Sequence, residues 1–106
     1  DSVAEADASG IPYFVVGHVG DGNFHFGYLI DPDNPEEHRI SEALNQTLVA
    51  RALQLGGTCT GEHGVGLHKM DFLRTEAGDG AVDMMRTIKQ ALDPDNILNP
   101  GKIFAL

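Results

Sequence analysis

Gly17-His18-Val19-Gly20-Asp21-Gly22-Asn23-Phe24-His25 is the stretch on which the reading of this 106-residue chain turns. Just before it, Ile11 to Val16 is a run of apolar, β-branched and aromatic residues, which predicts a buried strand. Pro12 sits at its start, where a strand tolerates a missing donor. Gly20-Asp21-Gly22-Asn23 supplies residues that accept positive φ, so the chain should reverse tightly there. From Phe24 to Ile30 the pattern alternates. Phe24, Phe26, Tyr28 and Ile30 share one face, and His25, Gly27 and Leu29 share the other. The aromatic face is the one expected to pack. His25 then points away from it, beside a glycine that leaves room for another group. The expectation is a β-hairpin with His18 and His25 near its loop end.

A second glycine-rich stretch follows, Gly57-Thr58-Cys59-Thr60-Gly61-Glu62-His63-Gly64-Val65-Gly66. The two stretches hold three of the five histidines and seven of the thirteen glycines. That concentration suits a place where backbone must come close to a ligand, so the two are expected to meet in space.

The rest of the chain reads as support. Residues 1–10 are small and acidic and are expected to be the tail of a helix ending near Gly10. They carry no initiating methionine, which suggests a fragment or processed form. Asn34 as N-cap, Pro35 at the first helical position and Glu37 three residues after Asn34 start a long helix. Ile40, Leu44, Leu48, Ala52 and Leu55 give it an apolar stripe, with Glu42, Gln46 and Arg51 off the stripe, and Gly56-Gly57 stops it. A short helix is expected over 66–76, with Met70 and Leu73 inward. Asp79 should cap a last helix with Val82, Met85, Ile88 and Leu92 on its apolar face, ended by Pro94. Asn99-Pro100-Gly101-Lys102 has proline and glycine at the central positions of a type II turn. The fold class is therefore α+β, a single domain over 1–106: a β-hairpin packed against about three helices.

Composition narrows the function. The apolar content of 42% is that of a globular domain, and no run approaches the roughly 18 apolar residues of a membrane span. A net charge of −9 argues against nucleic acid, whose phosphates it repels. One cysteine, Cys59, cannot form an internal disulfide. It reads either as reactive or as small and buried.

Two nucleotide motifs fail on inspection. Gly20-x-Gly22 is followed by His25 where a dinucleotide fingerprint wants glycine, and by a strand instead of a helix. Gly61 and Gly66 have P-loop spacing, but Leu67 stands where the phosphate-binding lysine belongs. A divalent metal site fares better. His18 and His25 flank a reversal and Glu62 offers a carboxylate, a donor set with room for substrate that favours zinc, manganese or iron over calcium. The alternative is loop histidines satisfied by backbone or water. His63 is either a general base or a second structural histidine. His38 and His68 read as surface or packing residues. Lys69, Lys102 and Asn99 are candidate polar contacts, or else ordinary surface and turn residues.

Taken together, the two glycine-rich stretches and the closing run from Asp93-Pro94 to Leu98-Asn99-Pro100-Gly101-Lys102 resemble the C-terminal segment of FAD-linked D-2-hydroxyacid dehydrogenases. These are flavoproteins of the vanillyl-alcohol-oxidase type. Three motifs in the family's order, covering Ile11 to Phe104, carry the resemblance. The first two are worded most like the branch acting on D-lactate; the glycolate oxidase and D-2-hydroxyglutarate dehydrogenase branches are alternatives.

The resemblance implies roles for single residues. His18, His25 and Glu62 match the positions that hold a divalent metal, which would bind the substrate's carboxylate and 2-hydroxyl. His63 matches the histidine that takes the hydroxyl proton while the Cα hydride passes to FAD. Asn99 and Lys102 match a closing motif near the flavin. It also implies partners: a D-2-hydroxyacid, an N-terminal flavin domain absent from this chain, and an electron acceptor such as a cytochrome or quinone. The setting would be cytoplasmic or peripheral to the inner membrane in a bacterium, and mitochondrial in a eukaryote. Alone, the chain should expose surface and self-associate, and be inactive. The rival class is a free-standing metal-binding module without redox chemistry.

Overall fold

The structure is a computed structural model describing all of residues 1–106. It has four helices and a two-stranded antiparallel hairpin, an α+β arrangement, and divides into two compact units, residues 1–56 and 57–106. No helix is long and apolar enough to cross a membrane.

In the first unit, α1 (Ser2–Ser9) leads into β1 (Tyr13–His18), and β2 (Asn23–Tyr28) leads into α2 (Pro35–Gln54). Gly10 ends α1 in the left-handed region, at φ 74°, where a side chain would be strained. The Tyr13 hydroxyl donates to Asp7 at 2.8 Å and fixes the start of β1 to the helix. A single 3-10 turn, Val19–Asp21, reverses the chain, and Gly22 closes it at φ 66°. The pairing register sets Val16 opposite His25 and His18 opposite Asn23.

Side chains opposite each other in an antiparallel pair share a face, as do alternate residues along a strand. Tyr13, Val15, Phe24, Phe26 and Tyr28 therefore line one face. Phe14, Val16, His18, Asn23, His25 and Gly27 line the other. On the first face Tyr13 and Phe26 stack with ring centroids 5.1 Å apart, and Phe26 meets Tyr28 at the same separation. On the second, the space beside Gly27 is filled. The Phe14 ring lies over it, so close that a Cβ there would overlap the ring. The room expected next to His25 belongs to Phe14.

The hairpin is also less buried than an apolar run suggests. Phe14, Val15 and Val16 stay about half exposed, because each strand has only one strand neighbour.

α2 begins as its cap residues dictate. The Asn34 side chain accepts from the N–H groups of Glu36 and Glu37 and donates to the Glu37 carboxylate, and such a cap contributes about 1 kcal/mol. Ile40, Leu44, Leu48 and Ala52 are half-buried as the stripe predicts, but Leu55 lies past the last helical turn and is exposed. Arg51 does more than sit off the stripe. It reaches both carboxylate oxygens of Glu5 and the Ser2 hydroxyl, joining α2 to α1. Ala6 and Ile11 are the buried apolar residues of this unit.

The second unit carries α3 (Met70–Ala77) and α4 (Asp79–Leu92), which pack against each other. α3 starts later than its sequence suggests, because Gly66 takes φ 55° and residues 66–69 form turns. Asp79 is the first residue of α4; Gly78 holds the cap position, and Asp79 instead pairs with Arg74 at 3.0 Å. Asp93, just before Pro94, leaves helical geometry at φ −139° and ends α4. Val82 and Cys59 are buried. Of the expected apolar face of α4, Ile88 and Leu92 are exposed, alongside Met84, Ile97 and Leu98.

Candidate active site

The hairpin presents its two histidines on one face. They are diagonal neighbours, two positions apart in register, with His18 at the end of β1 and His25 inside β2. His25 is half-buried and His18 exposed. Gly17, between them in register, has a reason to be glycine. A Cβ there would collide with the Asn23 carbonyl and the Phe24 Cα across the hairpin.

In the second unit, the Gly64 N–H donates to the Gly61 carbonyl at 3.3 Å. Glu62 and His63 thereby occupy the two central positions of a tight turn, with Gly64 in the left-handed region at φ 72°. Both side chains are exposed, and His63 Nε2 stands 3.8 Å from a Glu62 carboxylate oxygen, beyond hydrogen-bond length. The turn thus places a carboxylate and an imidazole side by side.

What precedes this turn is held from α3. Glu76 accepts from the Cys59 N–H at 2.8 Å and from the Thr58 hydroxyl at 3.0 Å. These donors keep the Glu76 carboxyl below its usual range. Cys59 itself is buried, and burial, with Glu76 beside it, pushes its thiol up to about 11. Of the two readings of Cys59, the structure supports the small buried residue.

The closing segment has its own anchor. Asp93 accepts from the N–H groups of Ile97 at 3.0 Å and Leu98 at 2.9 Å and from the Lys89 ammonium, which also reaches the Leu98 carbonyl. The Lys89 charge and these amides hold the Asp93 carboxyl down at about 2. Lys102 N–H donates to Asn99 carbonyl at 3.3 Å, and Gly101 takes φ 72°, as a type II turn requires. Asn99 and Lys102 thus flank one turn, both exposed. His38 Nε2 meets the Pro32 carbonyl at 3.0 Å and His68 is exposed, so neither joins these groups.

The model of the family described as FAD linked oxidases, C-terminal domain, matches residues 1–103. The chain belongs to that family. It is 49% identical over 102 residues to the mitochondrial D-lactate dehydrogenase (cytochrome) of Arabidopsis thaliana, covering 96% of this chain and 18% of that one. To D-lactate dehydrogenase (cytochrome) 1, mitochondrial, of Saccharomyces cerevisiae it is 50% identical over 100 residues, 94% of this chain and 17% of the other. To the glycolate oxidase subunit GlcD of Bacillus subtilis it is 45% identical over 89 residues, 84% of this chain and 19% of that subunit. The chain therefore spans less than a fifth of the length of these curated relatives.

The anchoring bonds of Glu76, Asp93 and Lys89 are not among the sequence expectations. Asp93 had a signal, since an aspartate before proline at a helix end is placed to accept from the following turn. Glu76 had none, because its donors lie 17 and 18 residues earlier.

Proposed function

We propose that this chain is the C-terminal segment of a flavin-dependent dehydrogenase that oxidises a D-2-hydroxyacid, D-lactate foremost, to the 2-oxoacid. The observation that carries this reading is its identity, over nearly its whole length, to the D-lactate dehydrogenases named above. The donor set fits a divalent ion: two imidazoles on one hairpin face, His18 and His25, with the Glu62 carboxylate as a third ligand. The Lys102 cation and Asn99 amide, exposed on one turn of an acidic chain, fit an anionic cofactor or substrate. Bound FAD supplies the acceptor for a hydride, and a divalent ion a Lewis acid at the substrate hydroxyl.

The chain's own residues then do the following. His63, exposed at the Glu62–His63 turn, takes the hydroxyl proton onto a ring nitrogen. With a hydride acceptor bound, loss of that proton would leave the O–H electrons to form the new C=O bond as the Cα–H pair departs. Lys102 and Asn99 hold the substrate carboxylate or the cofactor beside it. The exposed apolar residues of α4 and the segment after it support packing against the flavin-binding domain. A cytochrome or quinone would reoxidise the flavin, in a mitochondrion or a bacterium.

Stopped-flow reduction of the full-length protein's flavin by D-lactate, L-lactate, glycolate and D-2-hydroxyglutarate tests the proposal. Fast reduction by D-lactate and none by L-lactate is expected. A flavin that no D-2-hydroxyacid reduces would overturn it.

A further inference from the structure

The Glu62–His63 turn belongs to a stretch that cannot hold itself. Residues 57–69 contain no helix or strand, and four of the ten residues from Gly57 to Gly66 are glycine. Glycine loses the most conformational freedom on ordering, so such a stretch keeps one shape only if something outside it imposes that shape. One such group stands on α3. Two consecutive residues, Thr58 and Cys59, turn two donors onto one carboxylate oxygen: the Thr58 hydroxyl and the Cys59 amide. That carboxylate is Glu76, the next-to-last residue of α3. Cys59 is buried as a result, at 6% exposure, and lies three residues before Glu62.

We propose that Glu76 is a positioning residue for the reaction: it fixes Thr58–Cys59 to α3 and thereby sets where Glu62 and His63 stand. The inference rests on the function proposed above for those two residues. Glu76 touches neither substrate nor cofactor. It acts through the loop, and a shift of about 1 Å in a reacting group costs on the order of 100-fold in rate. The same geometry gives residue 59 a definite requirement. It must be small enough to bury, as cysteine is, and must keep its backbone N–H, which proline would not.

The test uses the full-length protein loaded with FAD, in the parent and in Glu76→Ala, Glu76→Gln and Thr58→Val variants. Two quantities are read: the limiting rate of flavin reduction by D-lactate, and the rate at which a maleimide labels Cys59, followed by mass of the Cys59 peptide. Glu76→Ala should lower the limiting rate roughly 10-fold or more at full flavin content, with faster Cys59 labelling. Glu76→Gln keeps an acceptor oxygen of the same shape and should recover much of the loss, while Thr58→Val should lose less than Glu76→Ala. A folded Glu76→Ala protein reducing its flavin within about twofold of the parent rate overturns the proposal. If Glu76→Ala does not fold, a Glu76→Leu variant, which keeps the bulk and removes the acceptor, decides, and a parent-like rate in it overturns the proposal. If the parent itself is not reduced by any D-2-hydroxyacid, the proposed function has failed separately. Cys59 labelling then reads the clamp alone, and labelling unchanged by Glu76→Ala or Glu76→Leu overturns it.

Discussion

The backbone N–H of Ile103 donates to the carbonyl of Gly66 at 2.8 Å, and Ile103 makes this bond at φ 70°. A β-branched residue in the left-handed region is rare, and the conformation costs about 1–3 kcal/mol. The strained residue ties the end of the closing segment, next to Lys102, to the end of the second glycine-rich stretch. Ile103→Gly keeps the donor and removes the strain, so in the full-length protein it should leave the thermal midpoint and the D-lactate rate near parent values. Ile103→Pro removes the donor and forces φ to about −65°. It should raise hydrogen exchange over 99–106 and lower the rate. A Pro variant with parent exchange in that segment would show that the tether does not order it.

Gly17 yields a prediction that separates backbone fit from ligand chemistry. Any Cβ there meets backbone atoms of Asn23 and Phe24, which cannot move like the end of a flexible side chain. Gly17→Ala should spread the two strands between His18 and His25 and lower stability by about 1–3 kcal/mol, the usual cost of overpacking. Gly20→Ala, where a Cβ meets nothing within 4 Å, should cost far less. Urea midpoints of the two variants check this, and equal midpoints would contradict it.

The metal proposal predicts a graded result. His18→Ala and His25→Ala in the full-length protein should each lose bound divalent metal, measured by elemental analysis, together with D-lactate-dependent flavin reduction. Removal of metal by a chelator should mimic both. His63→Asn should keep metal and FAD yet slow flavin reduction by roughly 100-fold or more, as loss of a general base does. Metal content unchanged by both alanine substitutions would remove His18 and His25 as ligands. Parent-rate reduction in His63→Asn would remove His63 as the base.

How far the sequence alone reaches depends on the range of the interaction. Asn34, Pro35 and Glu37 announce α2 because a cap is made by residues within one turn of each other. The hairpin is equally local: Gly22 takes the positive φ its position demands, and the aromatic alternation matches the stacked face. The histidine face was legible for the same reason. Partners far along the chain were not. Arg51 looks like a solvent-facing residue until Glu5 and Ser2, 46 and 49 residues earlier, arrive beside it. Gly66 reads as a possible helix start, and only its φ of 55° shows that α3 must begin later. Ile88 and Leu92 follow helical periodicity faithfully, but periodicity states only that a face is apolar; their exposure depends on what packs there.

Asp93 gives a pH prediction whose sign is fixed by its shift. Its carboxyl is held at about 2, against an ordinary value of 3.8, chiefly by Lys89 and then by the Ile97 and Leu98 amides. A depressed folded value means that the ionised form is favoured by folding. The stabilisation is therefore complete above about pH 4 and is lost as pH falls toward about 2. Asp93→Asn cannot carry the charge, so the thermal midpoint of the full-length protein should drop by a constant amount from about pH 5 to 8. The gap between parent and variant should then close between about pH 4 and 2. Lys89→Met should remove part of the same dependence, since it deletes the largest contribution and leaves the two amides. A gap that stays constant down to about pH 2 would mean that Asp93 is not what anchors the closing segment.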